Sequence, residues 1–283
     1  MSAHHPLSFE FFPPKTPQGE EKLGQTCAAL SRYQPDFFSV TYGAGGSTRD
    51  NTRDTVLRIQ AAGQPVAPHL SFGGAHQDAI LDLLGTYQQV GIRQLVALRG
   101  DLPSGMGGAT HLVHANKLVA FIRKHFGDFF CIHVAAYPEI HPEAKSYGDD
   151  IRWLRTKFEA GANAAITQYF YNPDAYFYFI DQCQKTGIDQ PIVPGVMPIT
   201  NVQNLLRFSA NCGAEIPRWL QQRLHASNDN PADVLAFGCD VVTRLCEKLL
   251  AGGAPGLHFY TMNQSHPTST IVDNLNIAPR PNT

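Results

Sequence analysis

Short apolar runs alternate along the chain with longer segments in which apolar residues recur at helical spacing. Apolar runs rich in β-branched and aromatic residues are typical of buried strands, and the longer segments are typical of amphipathic helices. The regular alternation indicates parallel strands joined by helices. We predict eight strands, at residues 7–12, 37–42, 66–71, 94–99, 130–137, 164–170, 192–197 and 256–262.

Two asparagine–proline pairs mark the starts of predicted helices. Asn172 precedes Pro173, and Asn230 precedes Pro231, in each case before a segment with apolar residues at helical spacing. An asparagine side chain accepts a hydrogen bond from a free backbone N–H at a helix start, and proline suits the first helical position. A further helix, beginning near residues 216–217, is predicted before the eighth strand.

Eight strands separated by helices within 283 residues predict a closed parallel barrel. An open doubly wound sheet usually has fewer strands, and the glycines of residues 43–48 do not have the spacing of a dinucleotide-binding loop. The chain contains no linker or low-complexity segment. We therefore predict an α/β fold, a single (β/α)8 TIM barrel over residues 1–283, with one extra helix before the eighth strand.

Polar residues lie at alternate positions near the carboxyl ends of the first five predicted strands. In a barrel, alternate residues of each strand point inward, and the active site lies at the carboxyl ends of the strands. An unpartnered buried polar group costs about 1–3 kcal/mol, so their number indicates a functional site. The polar pairs that share one face are Ser8 and Glu10, Ser39 and Thr41, His69 and Ser71, Arg99 and Asp101, and His133 and Tyr137.

Glu10 and Asp101 are the acidic residues of this set. Glu10 lies among the phenylalanines of residues 9–12, and burial there is expected to favour its protonated form. A general acid that works near neutral pH needs such a protonated carboxyl group. The alternative is a structural glutamate paired with an arginine such as Arg99. Asp101 follows Gly100, which lets the backbone approach a ligand closely, and a plain loop aspartate is the alternative.

Composition and charge exclude several classes of function. Hydrophobic residues make up 43% of the chain, enough for a sizeable core. With 22 basic and 24 acidic residues, the net charge of −2 offers no surface for nucleic acid or an anionic membrane. No apolar run can span a bilayer, and the N-terminus lacks a secretory pattern, so a cytoplasmic protein is expected. The six cysteines form no C-x-x-C pair, and no metal site is predicted.

Several strings of residues, taken in order, resemble the methylenetetrahydrofolate reductase family of flavoproteins. They extend from residue 8 to about residue 264, which is nearly the whole chain. One such string would be weak support, whereas the ordered set is highly specific. The most characteristic are SFEFFPP at 8–14, VTYGA at 40–44, LRGDLP at 98–103, AAYPE at 135–139, HPEA at 141–144 and HFYTMN at 258–263.

The resemblance implies a (β/α)8 barrel that binds FAD and catalyses a ping-pong reaction. NADH or NADPH would reduce the flavin and leave, and 5,10-methylenetetrahydrofolate would then take the same place and be reduced to 5-methyltetrahydrofolate. The resemblance also implies a homo-oligomer whose partners are small molecules. Two other functions stay open: a non-catalytic flavin- or folate-binding barrel, and a flavin barrel oxidoreductase that acts on another imine-type substrate.

The same resemblance implies roles for individual residues. Glu10 would be the general acid that assists opening of the folate ring, and Asp101 would lie beside the flavin and the pterin. The residues implied around FAD are Thr41, Tyr42, His69, Arg99, Gly100, Asp101, Ala115, Tyr137, His141, Ala144, Asp150 and Lys157. The residues implied to contact the nucleotide or the folate are Asp101, Gln168, Asn204, Phe208 and Gln264.

Two of these positions depart from the family pattern. Gln264 stands where the family often has an arginine that can meet the glutamate tail of the folate, and Asn204 stands where it often has a glutamine. A cation binds a carboxylate more strongly than a neutral amide does. We therefore expect the folate tail to be bound more weakly than in relatives that keep the arginine.

Overall fold

The structure is a computed structural model that describes residues 5–42, 49–72, 77–99, 114–226 and 230–277. All its strands are parallel and belong to one sheet. They are β1 (Leu7–Phe11), β2 (Phe37–Val40), β3 (Val66–Leu70), β4 (Gln94–Ala97), β5 (Cys131–Ala136), β6 (Ala164–Thr167), β7 (Ile192–Val193), β8 (Gly195–Val196) and β9 (Leu257–Tyr260). Each predicted strand is confirmed, the seventh as the pair β7 and β8.

Helices follow the strands in the described parts of the chain. The side chain of Asn172 accepts from the N–H of Asp174, and that of Asn230 from the N–H of Ala232, so both predicted helix starts are confirmed. None of the described helices is long and apolar enough to cross a membrane. The helices are α1 (Pro17–Ser31), α2 (Arg49–Ala61), α3 (Gln77–Gln89), α4 (Ala115–Phe126), α5 (Tyr147–Glu159), α6 (Pro173–Lys185), α7 (Val202–Cys212), α8 (Arg218–Ala226), α9 (Pro231–Ala251) and α10 (Thr268–Leu275).

The order of the strands in the sheet is β7-β6-β5-β4-β3-β2-β1-β9-β8. At one end of this order β7 pairs with β6, and at the other end β8 pairs with β9. Only Pro194 separates β7 from β8, and a proline has no N–H to give to the ladder. Residues 192–196 therefore join the two ends of the sheet, and the predicted TIM-like barrel is confirmed, with its seventh strand split at Pro194 and the extra helix present as α8.

The seam of the barrel requires a glycine at position 195. A Cβ built on Gly195 would lie 2.1 Å from the carbonyl oxygen of Thr167 and 2.6 Å from the ring of Tyr260. The Gly195 N–H donates to Thr167 Oγ1 over 2.9 Å, and Tyr260 Oη donates to the Thr167 carbonyl over 2.7 Å. The strands β6, β8 and β9 thus approach one another too closely for any side chain at this position.

Apolar residues form two separate layers. The larger layer lies between the strands and the helices, and the buried rings of Phe9, Phe38 and Phe259 pack together in it. The smaller layer lies inside the barrel and consists of Phe37, Ala67, Val96 and Ile166. The inward positions around this interior layer are polar, so the barrel has a packed but chemically mixed centre.

The register of the strands shows which residues share the inward face. Glu10 lies beside Ser39 of β2, as the alternation predicts. The fourth strand differs from the prediction. Leu98 packs on the interior layer, so Leu98 points into the barrel where the alternation predicted Arg99. Since β4 ends at Ala97, Arg99 belongs to the following loop, where the alternation of the strand no longer applies.

Candidate active site

A cavity of about 900 Å³ opens at the carboxyl ends of β3 to β6, and we call it the mouth cavity. Its inner end is formed by residues at these strand ends, among them Leu70, Ala97 and Gln168. Its walls are the start of α4, one face of α5, the loop between β5 and α5, and the end of α7. Barrel enzymes have their active sites at this end of the fold.

The mouth cavity brings together most of the residues that the sequence singled out. Eight of them were predicted around the cofactor and one, Gln168, at the substrate position. Thr41 and His69 are buried directly beside Tyr42 and Leu70 of the lining. The predicted residues in the lining are Tyr42, Arg99, Ala115, Tyr137, His141, Ala144, Asp150, Lys157 and Gln168.

Other predicted residues lie elsewhere or outside the described residues. Asn204 is exposed on α7, and Phe208 packs against the core from the same helix. Gln264 lies in the turn that follows β9, and none of these three lines the mouth cavity as described. Gly100 and Asp101 lie outside the residues that the structure describes.

Glu10 lies inside the barrel at the centre of a polar group that we call the lumen cluster (Ser8, Glu10, His69 and His258). Its Oε2 is 3.2 Å from His69 Nε2 and 3.5 Å from His258 Nε2. Both imidazoles therefore approach the same carboxylate oxygen of Glu10. Ser8 Oγ lies 2.7 Å from the other ring nitrogen of His258, which is fully buried.

The environment of Glu10 overturns the expectation that its carboxyl group is protonated. Burial raises its pKa, but the charges and contacts of His69 and His258 lower it further, to about 2. Phe9 and Phe11 point outward into the layer beneath the helices, so they do not surround the carboxyl group. The two histidines therefore favour the ionised form of Glu10.

A third histidine lies inside the barrel near the cluster. His133 Nε2 is 2.9 Å from Gln94 Oε1, and its ring lies 4.9 Å from that of Phe37. Burial lowers the pKa of His133 to about 4, and the nearby His258 and His69 lower it as well. His133 is therefore neutral at physiological pH. In the described parts of the chain, no group of three or more His, Cys, Asp or Glu side chains is arranged to hold a metal ion.

Positive charge on one side of the mouth cavity comes from Lys157. Its Nζ donates to the carbonyl oxygen of Ala135 over 2.8 Å. Burial lowers the pKa of Lys157 to about 8, while Asp150 opposes this change. Asp150 also accepts a hydrogen bond from the N–H of His141, which fixes the loop after β5 to α5. The ammonium group is thus held in place at the cavity wall and is charged at neutral pH.

Arg99 supplies a second cation at the rim of the mouth cavity. Its Nη2 lies 2.8 Å from Glu143 Oε1, and Nη1 contacts the other carboxylate oxygen. The hydrogen bond from Arg99 lowers the pKa of Glu143. The predicted alternative, in which Arg99 pairs with Glu10, is wrong, because its carboxylate partner is Glu143. An anionic ligand in the cavity would compete with Glu143 for this guanidinium group.

Two aromatic rings stack at the outer end of the mouth cavity. The centroids of His114 and Trp153 are 5.1 Å apart, with an angle of 18° between the ring planes. Trp153 is 48% exposed on the surface of α5. Both rings line the cavity. The pair offers a flat surface on which a planar ring system can stack.

Five buried hydroxyl groups lack a hydrogen-bond partner among the described residues. Two lie on helices, Thr243 Oγ1 in α9 and Thr268 Oγ1 at the start of α10, and three lie near the carboxyl ends of strands: Ser39 Oγ on β2, Thr41 Oγ1 just after β2, and Ser71 Oγ just after β3. An unsatisfied buried hydroxyl costs about 1–3 kcal/mol. The place of the last three at the carboxyl ends of the strands indicates that a bound molecule satisfies them.

Comparison with known proteins identifies the group to which this arrangement belongs. The chain matches the sequence model described as methylenetetrahydrofolate reductase over residues 2–276. The chain belongs to the methylenetetrahydrofolate reductase family. The 5,10-methylenetetrahydrofolate reductase of Pectobacterium carotovorum subsp. carotovorum is 39% identical over 274 residues, which are 96% of this chain and 91% of that protein.

Relatives of the methylenetetrahydrofolate reductase family occur in bacteria and in plants. The 5,10-methylenetetrahydrofolate reductase of Escherichia coli (strain K12) is 38% identical over 96% of this chain and 91% of its own length. Methylenetetrahydrofolate reductase (NADH) 1 of Arabidopsis thaliana is also 38% identical over 96% of this chain, which corresponds to 48% of the plant protein. The match to the plant protein thus involves only part of that longer chain.

Solved structures share the barrel at low sequence identity. An uncharacterized protein from Clostridium thermocellum that binds two copies of 5-methyl-5,6,7,8-tetrahydrofolic acid has a TM-score of 0.67 and 17% identity, over 98% of this chain and 95% of that one. Dihydropteroate synthase from Stenotrophomonas maltophilia has a TM-score of 0.52 and 10% identity, over 97% of this chain and 91% of that one. These similarities support the fold alone.

Several features of the site in this member of the methylenetetrahydrofolate reductase family were not predicted. His258 was not assigned a role, although its alternation with Tyr260 on the last strand places it inside the barrel beside Ser8. The His114–Trp153 stack has no sequence signal beyond a tryptophan outside the buried positions of α5. Contacts of this kind depend on elements far apart in the chain.

Proposed function

We propose that the protein reduces 5,10-methylenetetrahydrofolate to 5-methyltetrahydrofolate, with NADH or NADPH as the reductant and FAD as the bound cofactor. We further propose that the nucleotide and the folate use the mouth cavity in turn. The observation that supports this most is that nine residues assigned by resemblance to FAD or to the shared substrate position line this one cavity. The names of the relatives point to the same reaction.

The described residues fit a flavin dinucleotide. The buried hydroxyls of Thr41 and Ser71 need partners, which the polar edge of an isoalloxazine ring supplies. Lys157 offers a positive charge to the pyrophosphate, and the stacked rings of His114 and Trp153 offer a face to a planar base. When bound, FAD supplies the hydride-transfer chemistry, and the protein supplies orientation and proton control.

The lumen cluster has the properties needed to manage the proton of the folate half-reaction. Glu10 is the residue assigned to assist ring opening, and both imidazoles contact the same oxygen of its carboxyl group, which fixes the position of that group. His69 and His258 are buried, so they separate this side of the carboxyl group from bulk water.

The two half-reactions test the proposed function separately. We expect the purified protein to carry FAD, and we expect its flavin absorbance to fall when NADH or NADPH is added without oxygen. Addition of 5,10-methylenetetrahydrofolate should then restore the absorbance and yield 5-methyltetrahydrofolate. A colourless protein would contradict flavin binding. A reduced flavin that ignores the folate would favour a binding barrel or a different imine-type substrate.

Glu10→Gln tests the role of the lumen cluster. Glutamine cannot pass a proton to the substrate, so we expect folate-dependent reoxidation to slow by about 10²-fold or more, with flavin reduction changed by about twofold at most. Glu159→Gln, in an exposed ion pair on α5, is the matched control and should leave both half-reactions unchanged. Reoxidation of the Glu10 variant at the parent rate would remove Glu10 from the reaction.

A further inference from the structure

The segment of residues 137–146, which we call the β5 loop, contacts the residues just after the C-terminal end of α7 through the half-buried side chain of Glu139. Glu139 Oε2 accepts a hydrogen bond from the backbone N–H of Glu215, 2.7 Å away and 76 residues further along the chain. Glu139 Oε1 is buried without a hydrogen-bond partner among the described residues. A carboxylate that is buried and held on one oxygen is costly, which suggests that its position is used.

Two further contacts hold the same end of α7. Gly213 follows the helix with a φ of 76°, and a Cβ placed there would lie 3.0 Å from Cγ of Pro142 in the β5 loop. On the other side, Tyr169 Oη lies 3.0 Å from Ser209 Oγ and 3.4 Å from Cys212 Sγ. The end of α7 is thus fixed between the β5 loop and the segment that follows β6.

Both partners of this contact line the mouth cavity. The β5 loop contributes Tyr137, His141 and Pro142, and α7 contributes Asn211 and Cys212. Because the two segments form adjoining walls, a shift of the end of α7 away from the β5 loop widens the cavity on this side. The contact therefore affects the fit of a ligand that lies against these walls.

We propose that Glu139 is a positioning residue that holds the cavity-lining end of α7 against the β5 loop and so sets the width of the mouth cavity on this side. The inference rests on the proposed function only for the identity of the ligand, the folate or the nucleotide, that meets this wall. Gly213 and Pro142 have no titratable group. Of these contacts between the β5 loop and the end of α7, protonation therefore changes the hydrogen bond that the Glu215 N–H donates to Glu139.

The environment of Glu139 gives this contact a pH dependence. Burial raises the pKa of Glu139 to about 7, the Glu215 N–H bond lowers it, and the Glu215 carboxylate raises it. Tyr169 also interacts with Glu139, and burial raises the pKa of Tyr169, so its hydroxyl stays neutral. When the contact opens, Glu139 returns to water and to its ordinary pKa of 4.5. The closed contact therefore binds the proton more tightly and weakens as the pH rises through about 7.

The thiol of Cys212 reports on the contact without any folate. It is half-buried beside Tyr169, so opening of the contact should speed its alkylation, which peptide mass spectrometry measures at this one residue. The parent protein with its bound cofactor is compared with Glu139→Gln, which keeps the acceptor oxygen and cannot ionise. Both proteins carry the same thiol, so the ratio of their rates removes the ionisation of the thiol itself.

The ratio of the parent rate to the E139Q rate should rise about tenfold between about pH 6 and pH 8.5, as a pKa near 7 in the closed contact and 4.5 in the open one requires. A flat ratio would overturn the proposal, as would faster labelling of E139Q than of the parent at acidic pH. Glu215→Gln keeps the backbone donor and removes the like charge, so it should move the midpoint to lower pH. Gly213→Ala crowds Pro142 and should speed labelling at every pH.

The KM for the folate supplies a functional readout of the same contact. It should rise with pH across neutrality in the parent and stay flat in E139Q, with a similar kcat in both. A KM with the same pH profile in both proteins would show that the contact does not shape the substrate wall. A protein that never reduces the folate would contradict the proposed function instead, and the Cys212 ratio would still decide the role of Glu139.

Discussion

The two ends of the barrel treat buried polar groups in opposite ways. At the amino ends of β5 and β6, the guanidinium group of Arg123 donates to the carbonyl oxygens of Gly161, Gly127 and Phe130 over 2.9, 2.9 and 2.8 Å. It also donates to Oδ1 of Asn163 over 2.6 Å. One side chain thus ties the end of α4 to the start of two strands, and the acceptors that it meets are satisfied.

At the carboxyl end of the barrel the balance is reversed. The hydroxyls of Ser39, Thr41 and Ser71 are buried without a partner among the described residues. The lumen cluster gathers charged and titratable groups in the same region. The comparison teaches that this chain stabilises its fold at the amino end and keeps polar groups free for a ligand at the carboxyl end, at some cost in stability.

Arg123→Ala tests whether the amino end of the barrel is a main source of the stability of the fold. We expect the free energy of unfolding in urea to fall by about 2–4 kcal/mol, because several carbonyl groups lose a charged donor. Arg155→Ala removes an exposed ion pair with Glu159 and should change the stability by about 0.5 kcal/mol at most. A loss for Arg123→Ala no larger than this control would show that the amino end is not the main source of stability.

The pH dependence of FAD binding tests the role of Lys157 at the carboxyl end of the barrel. The pKa of Lys157 is about 8, so its charge is lost as the pH rises through that value. We expect the dissociation constant of FAD, measured by flavin fluorescence, to rise about tenfold between about pH 7.5 and pH 9.5. In Lys157→Gln it should already be high and nearly independent of pH. Lys185→Gln, in an exposed ion pair on α6, should keep the parent profile. A flat profile in the parent would remove Lys157 from the cofactor site.

Removal of the unpartnered hydroxyls of Ser39 and Ser71 should have the smallest effect on the free energy of unfolding. Ser39→Ala and Ser71→Ala delete buried polar atoms without partners, so the unfolding free energy of the cofactor-free protein should stay equal or rise by up to about 1 kcal/mol. Thr261→Val is the contrasting variant, because Thr261 Oγ1 donates to the Glu10 carbonyl, and it should lose about 1 kcal/mol. An equal loss of unfolding free energy in all three variants would show that hydroxyls with and without a hydrogen-bond partner contribute equally.

The positions of the strands were predictable because short runs rich in β-branched and aromatic residues alternate with helical segments. The residues at which the strands end were harder to predict. The run at residues 164–170 predicts a strand that in fact ends at Thr167, while Tyr169 and Phe170 continue the apolar pattern as part of the core. The run at residues 192–197 hides the break at Pro194, whose missing N–H interrupts the ladder. A local pattern does not distinguish ladder residues from loop residues that continue it.

The walls of the site were predictable only in part, because Tyr137 and His141 fall within short family strings whereas Trp153 of α5 and Cys212 of α7 do not. The charge state of Glu10 was not predictable, since His69 and His258 reach it only when the barrel closes. The alternation that correctly places Glu10 inward also turns Phe9 and Phe11 outward, and this removes the reason to expect a protonated carboxyl group. Electrostatics of this kind follow from tertiary contacts and not from neighbours in sequence.

The pairing of β1 with β9 also has a consequence for the order in which the site is assembled during synthesis. The walls of the mouth cavity come mainly from the middle of the chain, whereas His258 arrives with the last strand. A nascent chain therefore contains nearly all of the residues that line the mouth cavity before it contains His258, the second imidazole beside Glu10. Until the final strand emerges, β1 lacks the hydrogen-bonding partner that β9 supplies, and the lumen cluster is incomplete.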